Sequence, residues 1–387
     1  MAAASLFFVC LLTFVHYAAA QMRGPIIPLY ATAHGATATG VGIIVAAHMS
    51  TAAAGSIPFG RAADLWGRRP LILGGMALGI VTSALLPLAE RVWALAAIYG
   101  VAGVGIAAFS PSVLSLVGDV AAPGKIGRAF AWYSTAHYGA IGIGPFLGGL
   151  LAERWGYDVG FAGSALGIAV ACVVGVMALH ADSPASPPLV QPAWSAITSD
   201  PRVWAGWILA ASGLFVQGVV FTFLPLLAQR RGLGPATIGL VFLVLGLANT
   251  VARIPAGWMI DRTGRCAPYA VAGVALACAL TMTIPHVHGQ GALLALVGLF
   301  GAVSGGGFVA VSVGLSTAAP AAARGLVMGG YSAALYLGLG LGSLSIGPVI
   351  TQAGFEIGFA SGGALGALGV LIALALEQRS RRAGADS

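Results

Sequence analysis

The stretch Gly60-Arg61-Ala62-Ala63-Asp64-Leu65-Trp66-Gly67-Arg68-Arg69 returns in altered form as Gly257-Trp258-Met259-Ile260-Asp261-Arg262-Thr263-Gly264-Arg265. The same offset of 197 residues pairs Pro28 with Pro225, Gly35 with Gly232, Gly42 with Gly239, Pro58 with Pro255 and Asp64 with Asp261. It extends to Ala121-Ala122-Pro123 against Ala318-Ala319-Pro320. It then grows by one residue, so that Tyr133-Ser134 meets Tyr331-Ser332 and Tyr138 meets Tyr336. A register held over such a length means that whatever fold forms is built twice.

Composition fixes the solvent of that fold. With 58% hydrophobic residues, 7% charged residues and a mean hydropathy of +0.94 over 387 residues, the chain belongs in lipid. A bilayer-crossing helix takes about 20 residues, so about twelve crossings with short loops use up the chain and leave no room for a catalytic domain. The 58 glycines suit helices that must approach closely where apolar burial drives nothing. The expected crossings run over 6–29, 40–59, 71–88, 92–117, 127–151 and 159–179, then 203–227, 238–259, 269–284, 292–317, 326–350 and 357–376. The division is therefore an N-terminal six-helix bundle (1–180), a linker (181–202), a C-terminal six-helix bundle (203–378) and a tail (379–387). The linker's five prolines, from Pro184 to Pro201, mark it as a connector. Duplicated hydrophobic halves of this kind are a sequence mark of secondary transporters.

The Gly60–Arg69 motif resembles the loop between helices two and three of the major facilitator superfamily. The resemblance covers nearly the whole chain and implies an all-α membrane protein of twelve transmembrane helices in two pseudo-symmetric bundles, with alternating access to a central cavity. It makes Gly60, Asp64, Gly67 and Arg68, with Gly257, Asp261, Gly264 and Arg265, gate residues. Each aspartate is expected to latch onto the positively polarised start of a helix in the other half. Arg68 needs an acceptor, and Asp119 is the nearby carboxylate among the first-half inner ends. At the 197 offset Asp119 becomes Ser316, so the second latch is expected to be weaker.

Net charge of +7 invites a nucleic-acid reading, which the placement of the charges excludes. With both termini cytoplasmic, twelve basic residues fall on inner loops and only Arg91, Arg154, Arg230 and Arg231 outside, a positive-inside bias that encodes orientation in a cell (inner) membrane. Residues 6–20 imitate a signal peptide. They lack a basic leader, and they are the counterpart of the crossing that begins near Trp204. Cys10, Cys172, Cys266 and Cys278 match no metal or disulfide spacing and read as packing residues.

The segment Gly139–Gly149 resembles the helix-five motif of the superfamily's drug:proton antiporters through Gly144-Pro145, Gly148 and Gly149, although Ala140 stands where a glycine is expected. Proline bends the crossing and the glycines admit a neighbour, so this seam is expected to seal the cavity against proton leak. The antiporters' helix-four arginine is replaced here by Tyr99, and no Asp or Glu lies inside a crossing.

Titratable groups in lipid are functional suspects: His16, Arg23, His48, His137 and Arg253. Tyr17, Gln21 and Arg23 are expected to contact substrate, joined by Gln217, Asn249 and Arg253 from the second half, with the arginine favouring an anionic or zwitterionic ligand. His137, flanked by Tyr133 and Tyr138, is the expected proton site, because imidazole changes charge near physiological pH. His286-Val287-His288 offers two metal ligands without a third, so neither metal nor cofactor is expected. The resulting expectation is a monomeric, proton-coupled exporter of small molecules in the bilayer. Uptake, facilitated diffusion or a non-transporting sensor remain open.

Overall fold

The computed structural model describes residues 6–122, 125–179, 200–318 and 324–383, without the side chains of residues 64, 126, 127, 324–326 and 380–383. Most of the 181–202 linker and the end of the tail lie outside them. In chain order the helices are α1 (Leu6–Gln21), α2 (Arg23–Ala33), α3 (Ala38–Trp66), α4 (Arg68–Leu85), α5 (Val92–Val120), α6 (Ile126–Trp155) and α7 (Tyr157–Ala178). They continue as α8 (Pro201–Arg230), α9 (Pro235–Thr263), α10 (Ala267–Thr283), α11 (Gln290–Ala318) and α12 (Arg324–Ala383). Ten stretches among the described residues are long and apolar enough to cross a membrane. The last of these, Val327–Arg379, is broken at Gly354, and the 30-residue α6 stands outside the ten because it is more polar. The protein is an all-helical membrane protein with many transmembrane helices.

The backbone repeats as closely as the sequence does. Left-handed glycines end the equivalent helices: Gly35 and Gly232 at φ 81° and 80°, Gly67 and Gly264 at 85° and 64°, and Gly156 and Gly354 at 93° and 86°. Only glycine takes these angles without steric cost, so they punctuate both copies alike. Short 3-10 turns follow α4 and α10, at Leu86–Leu88 and Ile284–His286. The helix limits also correct the register. The offset grows to 198 within the loop after Gly67 and Gly264, so α5 aligns end to end with α11 and Asp119 faces Thr317 rather than Ser316.

The copies differ in their first crossing. Pro25 has no amide hydrogen for the carbonyl of Gln21, so a helical bond is missing there, although Met22 between α1 and α2 keeps helical angles (φ −52°, ψ −35°) and the two helices form one span, Leu6–Ala33. Residue 222, opposite Pro25, is threonine, and α8 runs unbroken from Pro201 to Arg230.

Packing divides the chain into two compact units, Met1–Pro187 with Phe221–Leu247, and Pro188–Val220 with Ala248–Ser387. The core of the first centres on Val9, Leu12, Ile72, Met76, Phe109, Val113 and Ile168, all but withdrawn from solvent. Its α4–α5 crossing has glycine on both sides: a β-carbon at Gly75 would lie 2.5 Å from the Gly105 carbonyl oxygen. The second unit repeats this crossing, with Gly273 against Gly307. There the Trp207 indole N–H donates to the Val327 carbonyl at 2.9 Å, tying α8 to α12.

Candidate functional site

At the loop end of α3, Gly67 turns the chain directly into Arg68, the first residue of α4. The Arg68 guanidinium forms an ion pair with Asp119 near the end of α5. Each charge sits at the unfavourable end of its own helix, a cation at a positive start and an anion at a negative finish, so the pair relieves both. The side chain of Asp64 lies outside the described residues. Arg265 has no equivalent carboxylate, since position 316 is serine and 317 threonine. Asp261 is exposed. Burial pushes the Cys266 thiol up and the Asp261 carboxylate adds to the effect, which leaves it a poor nucleophile. Gly60 and Gly257 are not forced by crowding: an added β-carbon would meet Pro111 at an ordinary 3.9 Å in one case and nothing within 4 Å in the other.

The glycine-proline motif of α6 presents two faces. Gly144 and Gly148, one turn apart, lie against Ala18, Gln21 and Met22 where α1 gives way to α2, with no room for a β-carbon. The other face meets the first half of α9, which belongs to the same unit. A β-carbon at Gly142 would come 3.3 Å from the α-carbon of Gly246, one at Gly239 would come 2.7 Å from the Pro145 carbonyl oxygen, and Gly149 abuts Pro235. At the end of this seam Glu153 Oε2 accepts the Ala236 N–H at 2.8 Å.

Inside the first unit the buried polar groups converge on α5. Arg23 is 5% exposed. Its Nε–H donates to the Ala20 carbonyl at 3.2 Å, Nη1 lies 3.5 Å from Thr82 Oγ1, and the guanidinium sits 5.8 Å from the centre of the Tyr99 ring. A guanidinium thus stands over the very position where the helix-four arginine is missing, delivered from α2 instead. The His48 ring stacks on Tyr99 at 4.1 Å and its Nδ1–H donates to the Tyr99 carbonyl at 2.9 Å, which fixes the tautomer. Thr51 Oγ1 donates to the Gly100 carbonyl at 2.7 Å. Sequence reasoning named His48 but missed Tyr99 as its partner, because nothing in an evenly apolar helix says which face it turns to a neighbour.

A second group of rings lies toward the other end of α1. His16 stacks on Phe109 at 3.7 Å, and its Nδ1 has no hydrogen-bond partner among the described residues. Tyr17 meets His137 edge-on at 4.1 Å, while Tyr133 and Tyr138 flank the same imidazole at 5.9 and 4.9 Å. Gln21 is half-buried, with its β-carbon against Gly144. In the second unit Arg253 Nε donates to Asn249 Oδ1 at 3.1 Å, Asn249 backs onto Gly305, and Gln217 is half-buried on α8.

Known proteins share this plan. The family profile described as Major Facilitator Superfamily matches residues 9–287 and 231–386. The inner membrane transport protein YajR of Escherichia coli (strain K12) is 29% identical over 34% of this chain and 29% of its own length. The uncharacterized MFS-type transporter YhhS of Salmonella enteritidis is 27% identical over 66% of this chain and 61% of its own. The chain therefore spans less than two thirds of either relative. Among solved structures, a bacterial homolog of the human lysosomal transporter Spinster, inward-facing and unoccupied, superposes with a TM-score of 0.78 at 13% identity, covering 97% of this chain and 96% of that one.

Proposed function

The chain belongs to the Major Facilitator Superfamily, and on that footing we propose that it is a proton-coupled exporter of small organic molecules. As a member of that family it is a multi-pass membrane transporter and not an enzyme. The observation that carries the export reading is the α6 seam: Gly142, Pro145 and Gly149 bring its backbone against Gly246, Gly239 and Pro235 so closely that no side chain fits between the helices. A carrier that must hold a proton gradient while moving cargo against it needs such a seal.

In this reading residues 1–180 and 203–378 are the two bodies of an alternating-access cycle. Both termini are cytoplasmic, as the twelve-to-four distribution of basic residues favours. The ends bearing Arg68 and Asp119 then face inward and Glu153 faces outward. Asp64 and Asp261 act as inner latches, each worth about 1 kcal/mol or less, weak enough to open on every cycle. Arg23, with Tyr17 and Gln21, contacts cargo in the first half, and Asn249, Arg253 and Gln217 do so in the second. Arg23, buried and ion-paired to no carboxylate among the described residues, favours anionic or zwitterionic cargo. His137, ringed by three tyrosines, carries the proton. That Asp and Glu stand only at the ends of the expected crossings supports a second reading, a facilitator that uses no proton.

Inverted and right-side-out vesicles, given a panel of fluorescent organic anions and zwitterions under an imposed pH gradient, decide between them. Export predicts accumulation in inverted vesicles with an acid interior, and loss of the pH dependence in His137→Gln. Flux indifferent to the gradient, or accumulation only in right-side-out vesicles, overturns it.

A further inference from the structure

Two equivalent helices in this protein start differently. The helix α3 begins behind Thr37, whose Oγ1 accepts the Gly40 N–H at 3.3 Å, so it carries its own N-cap. The residue opposite Thr37 at the 197 offset is Gly234, and α9 begins behind it: Ile238 N–H donates to the Gly234 carbonyl at 3.0 Å. Glycine has no side chain with which to satisfy the free amides of the first turn. The Glu153 carboxylate supplies what is missing. A β-carbon placed on Gly234 would lie 2.6 Å from Glu153 Oε2, the same oxygen that accepts the Ala236 N–H at 2.8 Å. The carboxylate therefore fills the volume, and makes the hydrogen bond, of an absent cap side chain, and its negative charge meets the positive end of α9. The residue opposite Glu153 at the 198 offset is Thr351, which brings no negative charge to that place.

We propose that Glu153 is the outer-gate residue of the transport cycle: a borrowed cap that joins α6 to α9 while the seam between them is shut, and that lets go when it opens. A helix with its own cap gains nothing from a neighbour, whereas one whose cap sits on another helix keeps its first turn intact only while the two touch. The glycine at 234 leaves room for this contact, since a side chain there would push the end of the carboxylate aside. The gate role rests on the reading that the α6–α9 seam opens during transport; the borrowed cap itself does not.

The test compares the two helix starts in the full-length protein in lipid nanodiscs. In Glu153→Ala, amide exchange over 234–241 is expected to rise about fivefold, the shift that loss of a cap oxygen brings, while exchange over 37–44 stays unchanged. Glu153→Gln, whose amide oxygen still accepts, should stay within about twofold of wild type. Gly234→Ala, which keeps the carboxylate but takes its place, should behave like Glu153→Ala, so a folding defect in one variant leaves the other to decide. For the gate, Leu243→Cys beside the Gly142–Gly246 contact, on a background lacking the four native cysteines, reports opening through its rate of alkylation by an impermeant maleimide. That rate is expected to rise about fivefold in both cap-breaking variants. Faster exchange with unchanged alkylation would reduce Glu153 to a structural cap and overturn the gate. No change in exchange would overturn the borrowed cap. Both increases in a protein that shows no proton-driven export would leave the gate standing and sink only the export reading.

Discussion

Laid over each other, the two sequence repeats share a skeleton and disagree about what fills it. The same glycines turn at similar angles, the same 3-10 turns follow the third crossing, and the equivalent glycines Gly75 and Gly273 open the crossing of α4 on α5 and of α10 on α11, against Gly105 in one and Gly307 in the other. Yet His16, Arg23, His48, Thr82, Tyr99 and His137 of the first repeat stand opposite Gly213, Val220, Leu245, Leu280, Val297 and Leu335 of the second. Desolvating such groups in a membrane interior costs free energy that apolar residues do not. Since the second copy forms the same helices without them, the first does not hold them in order to fold. The difference separates two jobs: the shared glycines build the scaffold, and the unshared polar groups are the part to examine for transport.

The largest expected effect tests the shared part. Gly75→Ala sets a β-carbon against the Gly105 carbonyl and the Phe109 amide, both backbone atoms that no rotamer change relieves, and should destabilise by about 2–3 kcal/mol. Gly273→Ala should do likewise against Gly307, whereas Gly74→Ala meets nothing within 4 Å and should be neutral. Thermal unfolding of the purified variants checks all three, and a tolerated Gly273→Ala would break the equivalence of the repeats.

Next comes the unshared part. Arg23→Met replaces a buried cation by an apolar chain of similar length, so the melting temperature should hold or rise while vesicle flux drops at least tenfold. A variant that melts early yet transports normally would return Arg23 to the scaffold. The smallest effect concerns the loops. Asp119 is half-exposed, which limits its pair with Arg68 to about 1 kcal/mol. Asp119→Asn should lose about that much in denaturant unfolding, and Arg265→Ala, opposite no carboxylate, should lose nothing measurable.

Much of the scaffold was legible because its punctuation is written in glycine and proline, whose backbone preferences act locally. The expected crossing over 92–117 lies within the observed Val92–Val120, and the Arg68–Asp119 pair could be named because carboxylates are so scarce that few candidates existed. The helical bond missing at Gln21 has its visible cause in Pro25. Side-chain direction was harder to read. In helices apolar on every face, periodicity does not tell which side meets α5 and which meets lipid, so the path of Arg23 toward Thr82 and Tyr99 had no signature. Glu153 was hidden for another reason: its partner is a backbone amide 83 residues away, and only the mismatch of Thr37 with Gly234 betrayed the need for it.

The burial of Arg23 within the first crossing has an electrical corollary. Its guanidinium brings a positive charge into the span. Whenever this crossing shifts along the bilayer normal, it drags up to one elementary charge through part of the transmembrane voltage. Full passage at 100 mV amounts to about 2.3 kcal/mol, so a displacement of a tenth of the thickness is worth about 0.2 kcal/mol. A charge so placed makes the resting potential one of the forces acting on the helix.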